Sequence, residues 1–425
     1  MLKKVWQNAF FQGSILITIT TFLVSFLNYV FNLLIARGVT LETYGEYFSS
    51  LSYATLLTIP FGAFGTILIK KIGALDPEKR HEYAHSIEYW LYEKMLKLSP
   101  VILLAGAAIY FLLGESANLQ SASILFILAL TLFSLMQTFY SATFHGFQAF
   151  FLFGVLMVSG SLLKVLGGIA ITLLRSELIF LYLVISLTAL FQLIVGHFLI
   201  KHKSTKSRQQ LRFPKLHTYF LRKEVLIPLI TTLGFVGIAN MDIILVKKFL
   251  SGSDAGLYSA LTLLSKIIFF LAAPIASVGY IFFTGKEHKH KADLLLLTIS
   301  GLISLFGLAA IVFYHLFSEF VIHFFFDQRY DSLQGILWLG GVYGLLYSLI
   351  LLYSQYFMAK NSIISTFTFA TLLLQMVLLT FSHQSLTQVM TINVGVMTVL
   401  LAAYFLSFCY YFYQNRTTHE SSTSQ

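Results

Sequence analysis

Long apolar segments constrain this chain more than any other feature. Twelve stretches of about 20 predominantly apolar residues recur along its 425 residues. A segment of that length crosses a bilayer as a helix, because backbone polar groups in lipid must be satisfied within the protein. The segments lack the alternation of apolar and polar residues that the strands of a β-barrel would show. We predict an all-α polytopic membrane protein with spans at about 13–36, 44–69, 97–114, 121–144, 150–174, 178–200, 225–247, 256–283, 293–316, 332–358, 362–381 and 386–413.

Composition agrees with a membrane protein, since 57% of the residues are apolar and 11% are charged, against about 25% charged in soluble domains.

Lys3 and Lys4 precede an apolar run that is too long for a signal peptide and has no small-residue cleavage pattern, so it is predicted to be the first span. Cys409 is the single cysteine, which excludes an intramolecular disulfide.

The net charge of +10 is distributed like a membrane topology rather than a nucleic-acid surface. With the N-terminus inside and the spans alternating, 21 Lys and Arg residues fall inside and 5 outside. By the positive-inside rule both termini are predicted to be cytoplasmic.

The longest polar stretch divides the chain into two sets of six spans. We expect an N-terminal lobe at 1–200, a basic cytoplasmic linker at 201–223, a C-terminal lobe at 224–413 and a polar, disordered cytoplasmic tail at 414–425. The charged, aromatic segment at 76–98 is either an interfacial helix on the cytoplasmic surface or a helical extension of the third span.

The two halves resemble each other around the turn that follows their first span. An offset of 211 residues aligns three pairs: Gly45 with Gly256, Tyr47 with Tyr258, and Arg37 with Lys248. Each half holds an even number of spans, so the repeats have the same orientation. They are expected to be related by a pseudo-two-fold axis along the membrane normal, with the substrate path between them.

Three charges lie inside predicted spans: Lys164, Asp242 and Lys266. Lys164 is about 15–20 Å from either end of its span, which is further than a lysine side chain reaches. It either contacts an anionic substrate in a wet cavity or forms an ion pair with a buried acid. We expect Asp242 to pair with Lys266, with proton or Na⁺ binding as the alternative.

Polar side chains in the spans, Asn28 and Asn240 among them, and the tyrosines of the tenth span are candidate sugar contacts, since such groups stack on sugars and bind hydroxyls. Soluble-enzyme signatures are absent: the chain has no GxxxxGK[ST], HExxH or CxxC sequence. The external loop at 318–331 carries Glu319, His323, Asp327, Arg329 and Asp331, and could be either catalytic or merely solvated.

Two segments carry a resemblance to a known family: LLIARGVTLETYGEYFSSLSYATLLTIP and NMDIILVKKFLSGSDAGLYSALTLLSKIIFFLAAPIASVGYIF. They resemble the hallmark segments of the polysaccharide-transport branch of the multidrug/oligosaccharidyl-lipid/polysaccharide (MOP) exporter superfamily. The resemblance covers the layout of the whole chain and marks the superfamily better than the cargo.

The resemblance implies a MATE-like fold and a Wzx-type flippase. Such a protein moves an undecaprenyl-diphosphate-linked oligosaccharide for O-antigen, capsule or exopolysaccharide across the bacterial inner membrane by alternating access. Lys164 and Lys266 would then contact diphosphate or acidic sugars, and Asp242 would be either a coupling group for H⁺ or Na⁺ or a pairing group. Arg37 and Lys248 would close the outer ends of the first helices. Membrane lipids and polysaccharide polymerase are implied partners. Neither a cofactor, a metal, nucleic acid nor an enzyme activity is implied.

Three rival functions remain at this stage. A lipid II-type flippase of the related family would be expected, by resemblance, to have more spans than the twelve predicted here. A cation-coupled multidrug antiporter of the same fold would favour an acidic or apolar cavity, against which the buried lysines argue. A polytopic glycosyltransferase or ligase would depend on the loop at 318–331.

Overall fold

The computed structural model describes residues 9–113, 118–174, 177–201, 223–284 and 292–423, and all regular structure in these ranges is helical. The chain divides into two compact units, Met1–Leu216 and His217–Gln425. Among the described residues, 11 helices are long and apolar enough to cross a membrane, and they coincide with 11 of the 12 predicted spans. The predicted all-α polytopic fold is confirmed.

Six long helices form the described part of the first unit: α1 Ala9–Gly38, α2 Leu41–Gly73, α3 Pro77–Leu113, α4 Ser121–Gly146, α5 Phe150–Leu174 and α6 Leu178–Lys201. The main packing partners are α1 with α5, α2 with α4, and α6 with both α4 and α5.

The second unit repeats this arrangement. Its helices are α7 Lys223–Phe249, α8 Gly252–Thr284, α9 Ala292–Leu316, the short α10 Ser318–Phe325, α11 Leu337–Ala359, α12 Phe367–Phe381 and α13 Leu386–Thr423, with 3-10 turns at Gln328–Ile336 and Ile363–Thr366. Here α7 packs on α12, α8 on α11, and α13 on both α11 and α12. Equivalent pairs of helices therefore pack together within each unit.

The first hairpin of each unit is closed by a hydroxyl at the same repeat position. Thr40 Oγ1 accepts a hydrogen bond from Thr43 N at 3.2 Å and caps α2. Ser251, 211 residues later, accepts from Asp254 N at 3.1 Å, while its own N–H donates to Asp254 at 3.3 Å. Such caps satisfy helix N–H groups that have no partner within the helix.

The crossing of the first and fifth helices also repeats in register. A Cβ atom on Gly154 of α5 would lie 3.0 Å from Thr20 Oγ1 of α1. At the same offset, Thr231 of α7 donates to Ser365 Oγ at 2.9 Å, just before α12. Gly234 brings α7 and α12 so close that a Cβ there would lie 2.2 Å from Phe369 N. Small residues permit this approach between membrane helices.

Helix α3 joins two predicted elements into one. It runs without a break through the segment predicted as either an interfacial helix or a helical extension, and on through the predicted span at 97–114 as far as Leu113. The extension is therefore the correct alternative. The side chains of 98–99 and 101–113 lie outside the described residues, and α3 is the one predicted span not among the 11.

The structure tests the prediction for the tail but not the prediction for the linker. Helix α13 continues through Thr423, so the expectation of disorder beyond Gln414 is wrong, because the last span propagates its backbone hydrogen bonding into the polar residues. Residues 202–222 of the basic linker lie outside the described residues, and its role as a linker stays a prediction.

Candidate functional site

Lys164 of α5 is half-buried and bonded to an amide rather than to an acid. Its Nζ donates to Asn28 Oδ1 of α1 at 3.3 Å. Asn28 Nδ2 in turn donates to Val24 O at 2.8 Å and to Ser161 Oγ at 3.4 Å. Among the described residues, no carboxylate lies within 4.0 Å of Lys164. The ion-pair interpretation of this lysine is therefore wrong for the described part of the chain.

Asn28 and Asn240 make the same local hydrogen bond in the two units, although they lie one residue out of register at the 211-residue offset. Asn240 Nδ2 donates to the carbonyl of Val236 at 2.8 Å, just as Asn28 donates to Val24. Both asparagines are half-buried on the first helix of their unit. Only Asn28 has an ammonium group on its amide oxygen.

Lys266 of α8 is also half-buried, and the negative charge of Asp242 acts on it. No ion pair joins the two groups within 4.0 Å, although both are described residues. The expected Asp242–Lys266 pair is therefore wrong. The physical reason is that hydroxyl and amide donors already surround the carboxylate.

Asp242 of α7 is fully buried at the centre of a polar network. Its Oδ2 accepts from Tyr258 Oη at 2.7 Å, from Tyr343 Oη at 3.3 Å and from Asn393 Nδ2 at 3.3 Å, while Oδ1 accepts from Ile243 N at 2.8 Å. These partners come from α8, α11, α13 and α7. Neutral donors thus hold a carboxylate that no cation contacts within the described ranges, and such a group can take up a proton or a small cation.

Gln375 of α12 extends this network, and sequence reasoning missed it. Its Nε2 donates to Asn393 Oδ1 at 2.8 Å and to Ile238 O at 3.0 Å. Its Oε1 is buried without a hydrogen-bond partner. An unsatisfied buried acceptor is costly, so this oxygen is a place where the network can accept a further donor or a cation. The internal repeat offered a signal for Gln375, because it is the equivalent of Lys164 at the 211-residue offset.

The first helix of each unit carries a cation at its predicted outer end. Arg37 and Lys248 are exposed in the last turns of α1 and α7, where positive charge complements the helix dipole. Lys248 Nζ lies 5.2 Å from the centroid of the Phe249 ring. Their proposed role in closing the first helices stays a prediction.

The tyrosines of the tenth predicted span are engaged inside the second unit. Tyr343 bonds to Asp242, and Tyr347 Oη donates to Phe235 O at 3.2 Å. Tyr356 Oη donates to Asp293 at 2.5 Å. All three are almost fully buried, so as candidate sugar contacts they present little free surface.

Two buried acids of the first unit were not singled out from sequence. Glu46, in the second turn of α2, accepts from Ser123 Oγ at 2.5 Å and from Gln120 N at 2.9 Å, and so caps α4. Glu88 of α3 is 1% exposed and bonds to tyrosine and histidine. The signal for Glu46 was available, because it falls inside the predicted span 44–69.

The charges of the external loop pair with one another. His323 Nε2 lies 2.8 Å from Asp331 Oδ1, and Arg329 Nη2 lies 2.6 Å from Asp327 Oδ2. All four are partly exposed, as expected of a solvated loop. Across the described residues no group of three or more His, Cys, Asp or Glu side chains is placed to hold a metal ion.

No protein-family model and no curated protein matches this chain. Solved structures do match along nearly its full length. An inward-facing multidrug resistance MATE family transporter of the MOP superfamily aligns with a TM-score of 0.68 at 15% identity, over 95% of this chain and 96% of that one. An outward-facing structure of such a transporter gives 0.58 at 17%, over 96% of each chain. A MATE bound to MaL6 gives 0.63 at 15%, over 95% of this chain and 97% of that one.

This chain has the fold of the MATE transporters. The implied MATE-like fold is thereby confirmed, and the two units with equivalent helix packing agree with it. At these identities the likeness extends to the fold alone, and the polysaccharide-transport branch is a matter for the proposal below.

Proposed function

We propose that this protein is an exporter of polyprenyl-diphosphate-linked oligosaccharides that works by alternating access in a bacterial cytoplasmic membrane. The observation that carries the proposal is Lys164: an ammonium group in the middle of a membrane helix, half-buried, bonded to a neutral amide and without a described acid. An intramembrane charge is costly unless it faces water, protein or an opposite charge. A substrate anion would supply that opposite charge during transport.

Lys266 supports the same reading from the second unit. It too is half-buried in a membrane helix without a contacting acid among the described residues. A diphosphate crossing hydrocarbon alone would lose its hydration at a cost of about 20 kcal/mol per ion in the idealised limit. A lysine such as Lys164, with the amide that it contacts, would replace part of that hydration, while the prenyl chain stays in lipid.

A second candidate function has its own observation. The MATE structures that match include multidrug resistance transporters, and Asp242 is a buried carboxylate that no cation contacts in the part of the chain that the structure describes. Both features favour a cation-coupled multidrug antiporter in which Asp242 binds H⁺, Na⁺ or a cationic drug. In the flippase proposal Asp242 serves only as the coupling group, so the two functions differ in what the lysines do.

The test uses a strain that lacks this gene and carries either wild-type or variant copies. Mass spectrometry of lipid extracts should reveal a polyprenyl-diphosphate oligosaccharide that accumulates in the deletion strain and in the Lys164→Gln strain. The matched control is Lys97→Gln, which removes an exposed lysine paired with Glu93 at 2.5 Å. It should clear the intermediate like the wild type.

The opposite pattern would overturn the proposal. If no lipid-linked intermediate accumulates and the deletion strain instead becomes sensitive to cationic drugs, the antiporter is the better function. Immunoblots must show normal amounts of the Lys164→Gln protein, because a loss of protein would make Lys164 structural. Surface-polymer analysis and pull-downs with the polymerase would follow a positive result.

A further inference from the structure

Glu88 is a buried carboxylate on α3 of the first unit. Its side chain is 2% exposed, and Oε1 accepts from Tyr140 Oη at 2.7 Å. His197 Nδ1 lies 2.9 Å from Oε1, and His85 Nδ1 lies 3.2 Å from Oε2. Tyr92 Oη, 3.0 Å from Tyr140 Oη, completes the group. We call these five residues the clasp, and it joins α3, α4 and α6.

The second unit contains a similar tyrosine–carboxylate contact, which differs from the clasp in the cation beside it. Tyr140 and Tyr356 are both the twentieth residue of their helices, α4 and α11, and each donates to a carboxylate on the preceding long helix. In the second unit this carboxylate is Asp293, and Lys360 contacts both Asp293 and Tyr356. A lysine keeps its positive charge throughout the physiological pH range, whereas the charge of a histidine changes within it.

The clasp therefore has a different charge balance from its counterpart. Within the described part of the chain, the titratable groups that contact Glu88 are His85 of α3, Tyr140 of α4 and His197 of α6, with Tyr92 of α3 one hydrogen bond further. Burial, aided by the charge of Glu88, raises the pKa of Tyr92, so its hydroxyl stays neutral. Of these groups, only a protonated histidine carries a positive charge that can pair with the Glu88 carboxylate.

We propose that Glu88, His85 and His197 form a proton-binding site that fastens α3 to α4 and α6 when a histidine is protonated. The side chains of His85 and His197 are 46% and 36% exposed, so protons reach them from water, while Glu88 is shielded. All three helices present here the ends that are predicted to face the cytoplasm. The site is distinct from Asp242 and would make the first unit responsive to cytoplasmic pH, whatever the transported substrate is.

The test is hydrogen–deuterium exchange of the full-length protein in lipid nanodiscs, at about pH 6 and about pH 8, on either side of the ordinary histidine pKa. After correction for intrinsic rates, peptides that cover 84–92 and 193–200 should be more protected at the lower pH. The expected ratio is on the order of tenfold, because hydrogen bonds to charged groups are about twice as strong as neutral ones.

Variants locate the effect. A His85→Gln, His197→Gln double variant should lose the pH dependence, while Asp293→Asn in the second unit should keep it. Equal protection of the wild type at both pH values would overturn the proposal without any variant, and so would a pH dependence that survives in the double variant. If the double variant does not fold, the wild-type profile and His197→Gln alone decide. Because no transport is measured, failure here leaves the proposed function untouched.

Discussion

In the first unit Tyr47 Oη donates to the neutral amide of Asn32 at 3.1 Å, whereas in the second unit the equivalent Tyr258 donates to the carboxylate of Asp242 at 2.7 Å. The same kind of exchange occurs at Lys164, whose equivalent at the 211-residue offset is Gln375. Asp242 itself has Phe31 as its equivalent, one residue before Asn32, so the repeat keeps the tyrosine but not the charge.

All three charges that were singled out inside the membrane spans break the repeat in this way. Lys266 has Thr55 as its equivalent, and Thr55 bonds to the carbonyl of Leu51 at 2.7 Å within its own helix. By contrast, the packing positions, such as Thr20 with Gly154 and Thr231 with Ser365, follow the repeat. At these two positions the contact between the helices is shared by the units. Under the proposed function, the positions where charge differs would serve the substrate or the coupling ion.

The largest expected effect is a loss of stability when a residue at a tight helix crossing is enlarged. Gly234→Ala places a Cβ atom 2.2 Å from the backbone of Phe369, so α7 and α12 must move apart. We expect a loss of about 3 kcal/mol of stability, measured as thermal unfolding of the purified protein in detergent. The equivalent residue in the first unit is Leu23, which is 39% exposed, and Leu23→Ala should be nearly neutral. Equal losses would contradict the packing described at this crossing.

The next effect is on transport rather than stability. Lys164→Gln gives the first unit the residue that the second unit has at Gln375, and should lower export about tenfold or more, because a charged hydrogen bond to the substrate is worth about 1.5–3 kcal/mol. Lys164→Arg should retain part of the activity. Surface polymer and protein abundance are measured together, and unchanged export in Lys164→Gln would remove the central support for an anionic substrate.

A smaller effect compares the two tyrosines. Tyr258→Phe takes the shortest side-chain donor from the Asp242 carboxylate, at an expected cost of about 1–2 kcal/mol. Tyr47→Phe affects only a neutral amide and should cost about 0.6 kcal/mol, which is the typical value for hydrogen bonds between membrane helices. Both variants are compared by thermal unfolding at one pH. A larger loss for Tyr47→Phe would mean that Asp242 is uncharged in the folded protein.

The smallest effect makes the two units more alike. Gly154→Ser introduces a hydroxyl beside Thr20 and should reproduce the hydrogen bond of Thr231 with Ser365. Since the contact is tight at 3.0 Å, the gain and the crowding nearly cancel, and the change in stability should stay below about 1 kcal/mol. A large destabilisation in the unfolding assay would show that the first crossing does not tolerate the geometry of the second.

Most of the fold could be predicted from sequence, because the bilayer requires long apolar helices and the repeat is readable in the turn around Gly45 and Gly256. The choice between the two alternatives for α3, and the helical tail, could not be predicted, since hydropathy marks where lipid ends but not where a helix ends. Lys164 was identified because a charge in a span is conspicuous.

The partners of these residues were less predictable. Asp242 was expected to pair with Lys266, but three neutral side chains from other helices donate hydrogen bonds to its carboxylate instead. Gln375 and Glu88 carry no signal in a single span, because their significance arises only when distant helices pack together. Sequence thus identifies costly groups well and identifies their partners poorly.

The most direct measurement of the central claim is translocation itself. The lipid-linked oligosaccharide that accumulates in the deletion strain would be reconstituted in liposomes with purified wild-type, Lys164→Gln or Lys97→Gln protein. Its appearance in the opposite leaflet would then be followed with a membrane-impermeant enzyme that cleaves only the exposed lipid. Rapid translocation by the wild type and by Lys97→Gln, with slow translocation by Lys164→Gln, is the predicted result. Equal rates with all three proteins, or no translocation above protein-free liposomes, would contradict the account.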